Sequence, residues 1–280
     1  MLKETETLSV VTFSIFDAVP AVTAAVSTRT GGVSTGEFSS LNMSFASGDD
    51  PAAVRENRRR FLSALKIDPA QIVCCNQVHG IHVVRAGQAD RGRGALVRDG
   101  AIPDCDGLMT DEAGVPLTMN FADCTPLLFC DPVHHAVAVA HGGWRGTAGN
   151  IGAVVLRQMK DAYGTDPADV LAAVGPAIGS AAFEVGQDVI DAFSPLFSPV
   201  EMEELARPTK AGKYVFDLPK ANRFLLMQAG IRRDHVEDTA LCTYTRDDLF
   251  FSYRKASRQG QKTGRHMAVI VWNEGSEVHG

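Results

Sequence analysis

ProLeuThrMetAsnPhe (116–121), ProLeuLeuPheCys (126–130) and AlaValAlaValAlaHis (136–141) are three short apolar runs that follow one another closely. Each has the length of a strand, and Asp131-Pro132 between the last two is a turn signal. GlyGlyTrpArgGly (142–146) comes next, and a helical pattern runs from 147 to 163. Strands joined by tight turns and then a helix predict a sheet with a helix laid on it.

Outward from this block the alternation continues. Upstream, IleValCysCysAsnGlnValHis (72–79) and HisValValArgAla (82–86) are expected to form a strand pair around Gly80. Further back, ThrAlaAlaValSerThrArg (23–29) reads as a strand, and GlyGlyValSerThrGly (31–36) as the turn after it. Asp50 can cap a following helix whose first position suits Pro51. Its inner face would carry Val54, Phe61, Leu62 and Leu65, and Arg58-Arg59-Arg60 is expected on its solvated face. Downstream, AspValLeuAlaAlaVal (169–174) reads as a buried strand ending at Gly175-Pro176. Helices are expected over 186–194 and 217–229, and strands over 250–254 and 266–272. This irregular interleaving predicts an α+β or mixed α/β protein in layers, not a regular βαβ barrel. No repeat and no low-complexity linker divides the chain, so one domain over 1–280 is expected.

Composition narrows the function. The 280 residues carry 27 basic and 33 acidic side chains, a net charge of −6, which disfavours broad nucleic-acid binding. That balance leaves room for a local basic pocket that takes one small anion. No apolar run approaches the ~18–20 residues that span a bilayer. Glu4, Glu6 and Asp17 make the N-terminal stretch a poor signal peptide, so a soluble cytoplasmic protein is expected. Six cysteines (Cys74, Cys75, Cys105, Cys124, Cys130 and Cys242) are too few for a disulfide scaffold in a chain this long. They are expected to be reduced.

The residues able to carry chemistry concentrate between Asp104 and Arg145. Cys124 stands just beyond one strand and His141 ends another, positions that expose a side chain while a rigid scaffold holds it. His79 ends GlnValHis in the same manner. Two imidazoles and a thiolate from three strand ends suit a catalytic zinc, which leaves a fourth position for water. Cys130 reads as packing, and His82 and the His134-His135 pair as a strand face and a turn. Asp123 or Asp106 would handle a proton or brace the histidines. GlyGlyTrpArgGly before a helix makes a plausible anion seat with Arg145, and Arg29 and Arg254 are further phosphate candidates.

The order of these segments resembles one family across nearly the whole chain, the laccase-domain family, also called polyphenol oxidoreductase-like or purine nucleoside phosphorylase-like. The matching stretches include SerThrArgThrGlyGlyValSer (27–34), LeuAsnMetSer (41–44), GluAsnArgArg (56–59), GlnValHisGly (77–80) and AspCysAspGlyLeuMetThr (104–110). AlaAspCysThrPro (122–126), AlaHisGlyGlyTrpArgGly (140–146), GlyProAlaIleGly (175–179), PheGluValGly (183–186), CysThr (242–243) and PhePheSerTyrArg (250–254) continue in register. The resemblance implies a layered α+β sandwich of mixed sheets flanked by helices, with zinc on His79, Cys124 and His141. It further implies phosphorolysis of adenosine, inosine and methylthioadenosine, with adenosine deamination alongside. Catalysis is then expected of His79, Cys124, His141 and Asp123, and substrate or phosphate binding of Arg29, Asn42, Gln77, Arg145 and Arg254. The partners are a purine nucleoside and phosphate, with no nucleic acid and no membrane, in a monomer or homodimer. Such proteins usually carry alanine where Gly142 stands, a difference expected to touch loop flexibility more than chemistry. They often carry cysteines where this chain has Ser180-Ala181-Ala182, so cysteines there are not required for a metal.

The eight histidines include no His-x-His pair, which argues against a multicopper oxidase, although copper would bind such a site in vitro. Two other readings fit the same residues. One is a cysteine hydrolase or amidase in peptidoglycan precursor editing, with Cys124 as nucleophile and His141 as base. The other is a binding module with structural zinc. A bound metal separates the first of these from the zinc enzyme, because a thiolate locked on zinc is no free nucleophile.

Overall fold

Alternation of side chains along the central strands sets the layers. In the strand Thr125–Asp131, Leu127 and Phe129 join one apolar cluster while Leu128 and Cys130 join another. A strand buried on both faces needs a layer on each side, and the computed structural model supplies both. It describes residues 1–4, 8–210 and 212–275; the end of the expected 1–280 domain, 276–280, lies outside the described residues.

One sheet takes, in spatial order, β1 (Leu2–Glu4), β2 (Ser9–Thr12), β3 (Val22–Ser27), β14 (His266–Trp272) and β6 (Leu117–Phe121). A six-stranded sheet takes β13 (Val236–Asp238), β9 (Leu171–Val174), β7 (Thr125–Asp131), β8 (Ala136–Gly142), β5 (Gly107–Thr110) and β4 (Val83–Arg85). Within it, β13–β9 and β4–β5 are parallel and the other pairs antiparallel, so the sheet is mixed. The two sheets pack face to face over Val26, Met119, Phe121, Leu128, Val139 and Ile270. A helix, α1 (Pro51–Ala64), covers the outer face of the first sheet with Phe61 and Leu62. On the far side, α3 (Ile151–Tyr163) covers the second sheet with Val155 and Met159. The order is therefore helix, sheet, sheet, helix, the layered α+β sandwich of mixed sheets that was expected.

A smaller lobe adds β10 (Glu184–Val185), β12 (Tyr214–Phe216) and β11 (Ala206–Pro208), packed with α4 (Gln187–Phe193), α5 (Pro199–Leu205) and α6 (Leu218–Gln228). No helix among the described residues is long and apolar enough to cross a membrane.

Local chemistry explains most boundaries. The Asp50 side chain accepts from Ala52 N at the start of α1, with Pro51 in the first turn. The single helix expected over 147–163 is two: α2 (Trp144–Ala148) and α3, parted by Asn150, whose left-handed backbone turns the chain and whose side chain caps α3. The pair expected at 72–79 and 82–86 does not form. The first segment bonds instead to Pro116, Arg93 and Ile102, and β4 pairs with β5. The strand expected over 250–254 is also absent, because the Ser252 side chain accepts from Lys255 N and starts α7 (Tyr253–Arg258). Arg58 is the third correction. It is only 3% exposed, and its guanidinium donates to the carbonyls of Met43, Gly94 and Ala95. Three carbonyls can satisfy a guanidinium without any acid, which helical spacing alone does not foretell.

Candidate metal centre

The centre lies where the N-terminal end of β7 meets the C-terminal end of β8. Thr125 pairs with Gly142, so Cys124 and His141 emerge side by side from the ladder. His79 arrives from the loop before β4 with a left-handed backbone (φ 61°), and Asp123 is left-handed too (φ 82°). Non-glycine residues hold that conformation only where their surroundings enforce it, and such strain gathers at sites.

Asp106, fully buried just before β5, does the enforcing at His79. Its carboxylate accepts the backbone N–H of Val78 (3.1 Å), His79 (3.0 Å) and Gly80 (2.7 Å). The same carboxylate meets His141 Nδ1 at 2.8 Å. One acid therefore pins both histidines, and it leaves His141 Nε2 free to face Cys124. Burial opposes its charge, but His141 and the Gly80 and Val78 amides hold the Asp106 carboxyl below the usual range.

The donor atoms of His79, Cys124 and His141 all lie within 4.8 Å of one another, the one such group of three among the described residues. Tetrahedral zinc with bonds of ~2.0–2.3 Å would draw them to roughly 3.5 Å. Burial alone would push the Cys124 thiol up; the charge of His141 and hydrogen bonds from both histidines prevail and bring it to about 6. Burial would likewise lower His141, but the Cys124 thiolate and Asp106 raise it to about 9. A thiolate beside two imidazoles is the donor set of a borderline-soft cation. Room is also kept for one: a Cβ added at Gly143 would sit 3.1 Å from Cys124 Sγ and 3.3 Å from His79 Cδ2. The residues present fit a zinc ion.

A cavity of about 470 Å³ opens beside the trio, within the range of small-molecule sites. Gln77, Asn76, Asn120, Tyr253, Arg98 and Arg265 are among its walls. Of the binding residues expected from sequence, only Gln77 is in the wall. Its amide is committed to the backbone of Asn120, donating to the carbonyl and accepting the N–H, both at 2.9 Å. Asn42 is buried behind the wall, where its Oδ1 accepts Ser44 N and Arg265 N.

The three expected arginines stand outside the cavity walls. Arg29 spends its guanidinium on the carbonyls of Ser39 and Asp247, and lines a different cavity. Arg254 donates to the Glu184 carbonyl. Arg145 is exposed over the Trp144 ring. Asp123 does not touch the histidines either. Its carboxylate accepts Thr243 Oγ1, Ser252 Oγ and Arg254 N, and burial pushes it above the usual range despite those donors. Asp123 thus ties the 243–254 segment to the residue before Cys124, a positioning role.

Arg265, which sequence reading missed, carried the signal used for the others: it follows a glycine at a strand start. Gly142 is not a loop residue. It belongs to β8, and a Cβ there would come within 2.9 Å of the Thr125 carbonyl, so its glycine answers a close approach. The trio also assembles without cysteines at 180–182.

Residues 23–273 match the family described as multi-copper polyphenol oxidoreductase laccase. The chain is 41% identical over 247 residues to purine nucleoside phosphorylase YlmD of Geobacillus stearothermophilus, covering 88% of this chain and 89% of that protein. It is 38% identical over 253 residues to purine nucleoside phosphorylase YlmD of Bacillus subtilis, covering 90% and 89%. The crystal structure of the Geobacillus stearothermophilus YlmD superposes with a TM-score of 0.90 at 38% identity, covering 97% of this chain and 98% of that one.

Proposed function

The chain belongs to the multi-copper polyphenol oxidoreductase laccase family, and from that premise we propose that it is a cytoplasmic, zinc-dependent purine nucleoside phosphorylase. The substrates are adenosine, inosine or methylthioadenosine together with phosphate, and adenosine deamination is a side activity. The observation that carries this reading is a His-Cys-His trio at the wall of a cavity of nucleoside size. The names of the relatives support it. The family's copper name does not transfer as chemistry, since a multicopper centre needs far more imidazole than one trio offers.

His79, Cys124 and His141 would hold the zinc, which when bound supplies Lewis-acid polarisation at the cavity wall. The protein's own contribution is mainly placement. Asp106 fixes the tautomer and orientation of His141 and the backbone of His79, the usual work of a carboxylate behind a metal-binding imidazole. Gln77 locks the His79 loop to β6 in the adjoining sheet. In phosphorolysis the bond from C1′ to the purine breaks, a bond from C1′ to an oxygen of hydrogen phosphate forms, and the base leaves with the proton that the phosphate gives up. Water outnumbers phosphate greatly, so the reaction requires a seat that orients the anion.

One geometric fact favours a second reading. Cys124, His141 and Asp106 form a thiol–imidazole–carboxylate line like that of cysteine hydrolases. The test is inosine turnover by purified, zinc-loaded enzyme with and without inorganic phosphate. Hypoxanthine and ribose 1-phosphate, formed only with phosphate, are expected. Equal hypoxanthine release without phosphate overturns the phosphorylase and favours hydrolysis.

A further inference from the structure

In the cavity beside the trio the charge balance of this acidic chain reverses locally. Its walls carry Arg98 and Arg265 and no aspartate or glutamate. Neither arginine enters an ion pair among the described residues. Such an arrangement needs explanation, because a partly buried guanidinium without an anion loses solvation and gains little in return.

Arg265 is built into its place. Its Nη1 donates to the carbonyls of Thr263 and Gly264, each at 3.0 Å. Its backbone N–H donates to Asn42 Oδ1 at 2.9 Å, and its carbonyl accepts Met43 N at 3.0 Å. The guanidinium lies over the Tyr253 ring, 5.6 Å from its centre. Asn42 is itself held by Asn57 of α1, whose Nδ2 donates to the Asn42 carbonyl. These contacts fix one edge of the guanidinium and leave Nε and Nη2 without a hydrogen bond to the described residues. Burial depresses the Arg265 pKa, and the nearby charges of Cys124 and Asp123 work against that depression.

Arg98 faces the same cavity from a loop whose stem is clamped. Buried Arg58 holds the carbonyls of Gly94 and Ala95, and Arg93 Nε donates to the Gly100 carbonyl at 2.9 Å. The clamp leaves 96–99 as a short exposed tip, with Arg98 presented from it.

We propose that Arg265, assisted by Arg98, is the seat for a tetrahedral oxyanion such as inorganic phosphate, beside the metal-binding trio. The open edge of a guanidinium offers two parallel N–H donors, which match two oxygens of a phosphate group. This assignment rests on the phosphorylase reading for its role in turnover, but binding of the anion can be measured without turnover.

Two measurements on the zinc-loaded, full-length enzyme test it. The first is calorimetric titration with inorganic phosphate. The second is steady-state phosphorolysis, with KM determined separately for phosphate and for inosine. Charge-assisted hydrogen bonds of this kind predict that Arg265→Ala weakens phosphate binding and raises its KM by about 10- to 100-fold. The KM for inosine should change less than about threefold. Arg265→Lys keeps the charge but not the fork and should fall between the two. Arg98→Ala, on an exposed tip, should raise the phosphate KM by roughly threefold to tenfold. Circular dichroism and metal analysis establish that each variant is folded and loaded.

Phosphate affinity unchanged in folded Arg265→Ala and Arg265→Lys overturns the seat, as does a wild-type enzyme that binds no phosphate at millimolar concentration. If the wild type binds phosphate through Arg265 yet releases hypoxanthine without it, the seat stands and the phosphorylase reading falls.

Discussion

The ladder of β7 and β8 ends twice in the same chemistry, with opposite consequences. At one end Asp106 accepts His141 Nδ1 and three backbone amides. At the other, buried Asp131 accepts His134 Nδ1 at 2.8 Å and the amides of Val133 and His134. Both acids are fully buried, and both organise a tight loop. At the Asp131 end the bonds serve the turn itself, with Thr165 adding to the hold on the carboxylate, and among the described residues no cysteine or second histidine is grouped with His134. At the Asp106 end, residues from three distant stretches meet. A buried Asp–His pair is thus a way of fixing a loop, and it becomes a centre only where other donors converge.

The sharpest way to break this contrast is to exchange the cysteines along β7. Cys124→Ala should lower turnover by more than about 1000-fold and strip the metal, with little loss of stability, because the residue contributes little to the core. Cys130 is fully buried between the sheets. Cys130→Ala should keep metal and activity and cost about 1–2 kcal/mol in chemical denaturation. Exchanged phenotypes would show that the reactive end has been misassigned.

Thiol chemistry gives a second, nearly as large, difference. Cys124 sits at about 6, whereas burial and the neighbouring Asp131 charge push Cys130 up to about 12. The thiolate is the form present above the pKa and the one that reacts. In metal-stripped protein, iodoacetamide should therefore label Cys124 with a rate that rises through about pH 6 and levels off by about pH 7. Cys130 should stay unlabelled while the fold is intact. Peptide mass mapping across pH reads both, and labelling of Cys130 first would refute the assignment.

The two acids provide a third comparison of moderate size. Asp106→Asn should weaken metal affinity by about 10- to 100-fold, the usual effect of removing a carboxylate behind a ligand. Asp131→Asn should leave metal affinity unchanged and lower stability by about 1–3 kcal/mol through its turn. Equal metal losses would mean that Asp106 acts only on stability.

The smallest effect concerns the ladder itself. Gly142→Ala must move the Thr125 carbonyl or Asn222, so a loss of about 1–3 kcal/mol in urea unfolding is expected. A neutral outcome would mean that the β7–β8 end has slack.

Much of this was legible before any coordinates. The runs at 116–121, 126–130 and 136–141 carried their own periodicity and turn signals, and Asp50-Pro51 announced α1. His79, Cys124 and His141 could be singled out because each ended an apolar run beside a glycine or polar turn. The failures have physical causes. Residues 72–79 have strand composition, but their hydrogen bonds go to three separate segments, a pattern that no local window contains. Ser252 could read either as part of a strand or as a cap, and Asp123 on its other side settled the matter by accepting its hydroxyl.

Along the chain, sequence by itself determined the strands of the central sheet, the caps of the helices and the identity of the three side chains that meet in the His-Cys-His trio. These depend on residue type and short-range spacing, which local sterics and burial read directly. Tertiary structure alone decided which acid braces the histidines, which arginines face the cavity, and that Arg58 is buried. Asp106 and Asp123 are equivalent as sequence, since each sits one position from a cysteine near a strand. Arg265 gains its meaning from Asn42 and Cys124, far away in the chain and joined to it only by the packing of two sheets. Charge and hydrogen bonding depend on distance in space, and a single sequence does not carry distances between residues so widely separated.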